Sequence, residues 1–176
     1  MKTLGLDISS SKIGIALLDS EKQIIISEVL KFKSSQSLEE RAAQFNRRMR
    51  EIDTHHVVYD VFVEQPAIMF RGGKTTAFTM ATLQRFNGMC CYVLSQIFEA
   101  EASLIHPNSA RSILGIKTPR KVPSKEKKKA IIESISERFG DQFQYNLTRQ
   151  GNPQPGTDDR ADALVVALAG PLILDG

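Results

Sequence analysis

Three apolar runs crowded into the first 32 residues constrain the fold most. Residues 4–8 (Leu-Gly-Leu-Asp-Ile), 13–18 and 23–32 are rich in Ile, Leu and Val, and only Ser9-Ser10-Ser11-Lys12 and Asp19-Ser20-Glu21-Lys22 separate them. Turns this short leave no room for a crossover helix, so consecutive strands must return beside one another as an antiparallel meander.

The pattern then changes period. Ser37 followed by Glu40 forms a capping box that opens a helix running to about Ile52. Residues 57–63 (Val-Val-Tyr-Asp-Val-Phe-Val) are nearly continuous β-branched and aromatic sequence, the mark of a buried central strand, and they stop at Glu64-Gln65-Pro66. A loop with Arg71-Gly72-Gly73-Lys74 precedes a long helix over about 75–99. A fifth strand covers 102–106, and a short helix 108–114. A basic loop with Pro119 and Pro123 leads to a helix over 124–139 that has Ile131, Ile132 and Ile135 on one face. Residues 140–156, rich in Gly, Pro, Asn and Gln, predict a mobile loop, and a last helix spans 158 to about 168. The expectation is one α/β domain over residues 1–176: a five-stranded mixed sheet, meander plus parallel strands, flanked by helices.

At 176 residues and 41% hydrophobic content, with nine Phe and no Trp, the chain supports a single apolar core. Its two cysteines, Cys90 and Cys91, are neighbours in an apolar helical pattern and read as buried free thiols in a reducing compartment. No apolar run reaches the length of a membrane span and the start lacks a signal-peptide layout, so the expectation is a cytoplasmic protein without a membrane partner. The formal charge of +3 is modest, but its distribution is not: Lys117, Arg120, Lys121, Lys125, Lys127, Lys128 and Lys129 crowd one segment against Glu126 alone. Arg47, Arg48 and Arg50 form a second cluster, and Arg71 with Lys74 a third. Such clusters are either solvated faces or phosphate contacts.

The acids carry the chemistry. Asp7 interrupts an apolar strand, where a carboxylate is expensive unless it is paired, exposed at a strand end, or bound to a cation. Glu64 ends the most apolar strand. Asp159 and Asp162 stand three apart at the start of the last helix and so share a face. If the first and fourth strands are neighbours, all four acids meet. Asp158 or Asp159 could instead cap that helix, and Asp158 suits the cap better. Clustered carboxylates repel, and all-oxygen ligation selects hard ions such as magnesium or manganese. Two such ions roughly 4 Å apart support in-line displacement at a phosphodiester.

With these residues in view, the chain resembles the RuvC-type Holliday-junction resolvases of the RNase H-like superfamily. Leu4-Gly5-Leu6-Asp7 with Gly14-Ile15-Ala16 is similar to the family's opening strand and turn. Val63-Glu64-Gln65 resembles its second acidic motif, and Leu83, Gln84 and Gly88 its central helix. Asp159-Arg160-Ala161-Asp162-Ala163-Leu164 resembles its closing motif. The resemblance implies an RNase H-like fold, with Asp7, Glu64, Asp159 and Asp162 as catalytic acids holding two magnesium or manganese ions. It further implies branched DNA as partner and a homodimer that nicks opposing strands in pairs. It places Arg111 and one of Lys125, Lys127 or Lys128 against phosphates. The other DNA-binding candidates are Arg71, Lys74, Lys117, Arg120 and Lys121. Three departures stand out: Ser9 replaces a glycine in the first turn, Ala67 replaces an aromatic after the Glu motif with Phe70 three residues on as its substitute, and the 115–123 loop is longer. They suit a phage or viral member of the family.

Three other readings compete. A nuclease of the same fold acting on RNA or structured nucleic acid would share the acids. An actin-like ATPase or sugar kinase needs two such domains to clamp a nucleotide, so no nucleotide cofactor is expected. A module that binds junctions without cutting has no use for four repelling carboxylates. Cys90-Cys91 with His55-His56 lacks zinc-ligand spacing, and no Ser-His-Asp arrangement is apparent.

Overall fold

The computed structural model describes residues 1–66, 76–119 and 122–174. Strands β1 (Thr3–Ile8), β2 (Lys12–Leu18) and β3 (Ile24–Lys31) form the expected meander, followed by α1 (Leu38–His55) and β4 (Asp60–Glu64). Then come α2 (Ala77–Ile97), β5 (Ala102–Ile105), α3 (Pro107–Ile113), α4 (Ser124–Phe139) and α5 (Thr157–Leu174). The sheet order is β3-β2-β1-β4-β5, with β1 antiparallel to β2 and parallel to β4, and β4 parallel to β5. The five-stranded mixed sheet flanked by helices is thus the architecture read from the sequence.

Period-two alternation divides the core. Leu4, Leu6, Ile8, Val61 and Val63 pack with Phe45, Met49 and Phe86 of α1 and α2. Ala16, Leu18 and Phe62 face the other way, toward α3, α4 and α5. The predicted capping box is present: Glu40 N–H donates to Ser37 Oγ at 3.2 Å, and Ser37 N–H donates to the Glu40 carboxylate at 2.7 Å. Cys90 is buried in α2 and Cys91 half-buried, both as free thiols. No helix among the described residues is long and apolar enough to cross a membrane.

Three boundaries depart from the sequence reading. The fourth strand starts at Asp60, not Val57, because Val57 and Tyr59 are exposed ahead of the first β1 pairing, Thr3 with Asp60. Lys12 opens β2 rather than closing the preceding turn. The last helix runs to Leu174 through Pro171, six residues beyond the expected stop. Gly170 there is a packing residue: a Cβ would strike the Phe62 ring.

Residues 140–156 lie between α4 and α5 as expected. They contain a short 3-10 turn at Gly140–Gln142 and a small hairpin bridged between Leu147 and Pro153. The Thr148 N–H donates to Asn152 O at 2.7 Å, and the Gln154 N–H to Asn146 O at 3.0 Å. Phe143, within this segment, is buried, with the Arg160 guanidinium 4.8 Å from its ring centroid.

Candidate active site

Backbone register sets two of the acids side by side. The β1–β4 pairing runs Thr3–Asp60, Leu4–Val61, Gly5–Phe62 and Leu6–Val63, so Asp7 and Glu64 follow as the next step of the same ladder. Alternation turns both toward α5, on the face that carries Gly5 and Phe62. Both lie at the C-terminal ends of parallel strands, where open α/β sheets place their ligands.

Glycines let α5 descend onto this face. A Cβ on Gly5 would lie 2.6 Å from the Ala167 Cβ, and one on Gly14 would lie 2.7 Å from the Asp159 carbonyl carbon. Gly14 is the cross-strand partner of Asp7. The first turn of α5 therefore rests beside Asp7, and its i, i+3 spacing directs Asp159 and Asp162 to the cluster.

The carboxyls feel one another. Burial, and then repulsion from Glu64, Asp162 and Asp159, holds Asp7 well above the ordinary carboxylate range. Glu64 is pushed up to about 7 by burial and by Asp162. Burial lifts Asp162 to about 6, with Arg111 and Lys128 opposing. Asp159 is raised by burial despite the hydrogen bond from Lys12. Asp158 also feels burial, but Lys128 outweighs it and holds this carboxyl below its usual value.

Each acid in the first six residues of α5 faces a cation from a different element. Lys128 of α4 pairs with Asp158, Lys12 of β2 pairs with Asp159, and Arg111 of α3 stands 3.9 Å from Asp162. Asp158 is consequently the second helical residue and an ion-pair partner, not the cap expected of it. Lys12 was missed in the sequence because its partner is 147 residues away.

Among the described residues, no three His, Cys, Asp or Glu side chains stand as a ready set around one ion. Two of the acids, Asp158 and Asp159, are occupied by the ammonium groups of Lys128 and Lys12. The donor set nonetheless fits a hard divalent cation: it is wholly carboxylate, and Asp162 Oδ1 is buried without a hydrogen-bond partner.

The basic candidates separate. Arg111 and Lys127 line a cleft of about 610 Å³ with Asn108, Ser112 and Thr118. Lys125 and Lys128 line a second groove, of about 420 Å³, on the other side of α4. Lys117 is exposed beyond α3. Arg48 braces α1, bonded to Glu28 at 2.5 Å and Glu51 at 2.9 Å. Phe70, Arg71, Lys74, Arg120 and Lys121 lie outside the described residues.

No protein-family model matches the sequence, and no curated protein does. Solved structures do match. Thermus thermophilus RuvC in complex with a Holliday junction substrate superposes with a TM-score of 0.72 at 16% identity, covering 99% of this chain and 95% of that one. A second T. thermophilus RuvC structure gives a TM-score of 0.68 at 16% identity, covering 99% and 96%. The likeness runs through the whole domain and is one of fold: this chain has the RNase H-like fold of RuvC.

Proposed function

We propose that the protein is a divalent-metal-dependent endonuclease that resolves four-way DNA junctions, acting as a homodimer that nicks opposing strands. The observation that carries the reading is the seating of α5 on Gly5 and Gly14, which gathers Asp7, Glu64, Asp159 and Asp162 on one sheet face. Repelling acids held at this density are unfavourable unless cations compensate them. Asp7, Glu64, Asp159 and Asp162 would hold the ions. Bound there, hard divalent ions neutralise charge and lower the pKa of water for in-line displacement at phosphorus.

The chain's own residues do the rest. The proton that Glu64 partly retains at neutral pH stands in for metal charge and must leave as cations bind. Lys12 and Arg111 limit repulsion around Asp159 and Asp162. Lys125, Lys127 and Lys128 offer phosphate contacts on both sides of α4, and such contacts make binding salt-sensitive. A two-fold assembly would match the two-fold character of a junction.

The test is incubation of purified protein with a synthetic four-way junction, in magnesium, manganese or chelator, beside duplex, flap and RNA–DNA hybrid. Metal-dependent paired nicks near the crossover are expected. Cutting of RNA or hybrid alone would move the protein to a nuclease of RNA, and tight junction binding without any cleavage would make it a binding module.

A further inference from the structure

The groove beside the acids has two chemically different walls. Lys125, Lys128 and Lys129 line one, spaced i, i+3, i+4 on a single face of α4. Asn152 and Gln154 of the Leu147–Pro153 hairpin line the other. Ile132, Pro153 and Pro155 supply apolar surface between them, and Glu126 and Asp158 are its acids.

Three observations distinguish this groove from a solvated basic face. Asn152 is half-buried and Gln154 exposed in this wall, and main-chain bonds of the hairpin fix both backbone positions, which leaves their amides open to a ligand. The hairpin is also anchored at its base: the Arg160 guanidinium donates to Gln144 O at 3.1 Å and Arg160 Nε to Ser27 Oγ at 3.1 Å, above the buried Phe143. Lys128, finally, belongs to groove and cluster alike, because it pairs with Asp158 while its charge acts on Asp7, Glu64 and Asp162.

A strand whose phosphate lies at the acids would enter this groove next. The cationic wall suits its backbone and the apolar floor suits the face of a base. Side-chain amides on a held backbone present paired donors and acceptors, the equipment that reads a base edge. About 420 Å³ is the scale of a small-ligand pocket, which accommodates one nucleotide drawn out of the stack.

We propose that the groove holds a single unstacked nucleotide of the scissile strand next to the cut phosphate, with Asn152 and Gln154 as the residues that set sequence preference. This rests on the junction-nuclease reading above.

The experiment measures cleavage rates over a library of four-way junctions randomised around the crossover, for the wild-type chain and for Asn152→Ala/Gln154→Ala. The wild type is expected to spread its rates by at least about tenfold, and the double variant to narrow the spread to within about threefold. Neither side chain is part of the buried core, so the variant should fold, which its thermal midpoint checks. Lys125→Ala/Lys129→Ala is the companion: it should weaken binding of every sequence alike and flatten the salt dependence while keeping the spread. An unchanged spread in the amide variant, or no spread in the wild type, overturns the assignment while the nuclease reading stands. A spread lost only in the lysine variant overturns it too. A wild type that cuts no junction removes the nuclease reading, and the inference goes with it.

Discussion

Gly14 and Asp159 touch main chain to main chain: a Cβ on Gly14 would overlap the Asp159 carbonyl oxygen and lie 2.7 Å from its carbon. Because Gly14 pairs across the ladder with Asp7, this one contact ties an acid of β1 to an acid of α5. Gly14→Ala should therefore injure the site more than its volume suggests. We expect a loss of about 1–3 kcal/mol of stability from overpacking, seen as a lower denaturant midpoint. Manganese stabilisation should also fall, because the first turn of α5 is displaced. A variant with wild-type midpoint and wild-type metal response would refute the seating.

Removing one of the repelling acids should separate stability from activity. Asp7→Asn is expected to abolish cleavage, keep junction binding, and raise the thermal midpoint of metal-free protein, since Asp7 is desolvated and faces three other acids. Binding assays and melting curves in chelator check this. Retained cleavage would remove Asp7 from the site.

Metal-free stability should fall as pH rises. Glu64 moves from an ordinary 4.5 to about 7, and Asp162 from 3.8 to about 6, so the folded chain holds protons that the unfolded chain has released. The contribution from these protons is complete at low pH and is lost through the interval up to about 7. In chelator, the midpoint should drop between about pH 4 and about pH 7, and excess magnesium or manganese should restore it at the upper end. A midpoint that is flat or rises over this range would mean the acids are not clustered.

Lys12 competes with any cation for Asp159. Lys12→Met should lower the midpoint of metal-free protein and tighten manganese binding by about 5-fold or more, the lower end of typical coupling between two linked sites. Calorimetric titration reads the second effect directly. Weaker manganese binding in the variant would show that Lys12 positions Asp159 for the ion instead.

Asp158 and Asp159 are adjacent and should behave differently. Asp158→Asn loses a half-exposed ion pair with Lys128, worth at most about 1 kcal/mol, and should keep its cleavage within about tenfold of wild type. Asp159→Asn should be inactive. Equal loss in both would enlarge the acid set to five.

The acids were legible because each breaks a local rule: Asp7 and Glu64 interrupt or end apolar strands, and Asp159 and Asp162 repeat on one helical face. The sheet was legible for a related reason, since short turns leave a meander no alternative. What escaped the sequence depends on distance. Lys12 reads as one more polar turn residue until α5 arrives above it. Gly170-Pro171 reads as a helix stop, yet Gly170 is there to admit the Phe62 ring, and the helix continues. Val57 and Tyr59 carry strand-forming side chains but precede the β1 pairing that would have made them a strand.

Half of the acid cluster is carried by α5, the last element of the domain, and the other half by strands that precede it by about a hundred residues or more. During synthesis the order of assembly is therefore fixed: β1 and β4 can pair early, but their acids have no companions until residues 157–174 have been made and laid across the sheet. Until that helix is laid down, the nascent chain presents two of these acids and not four.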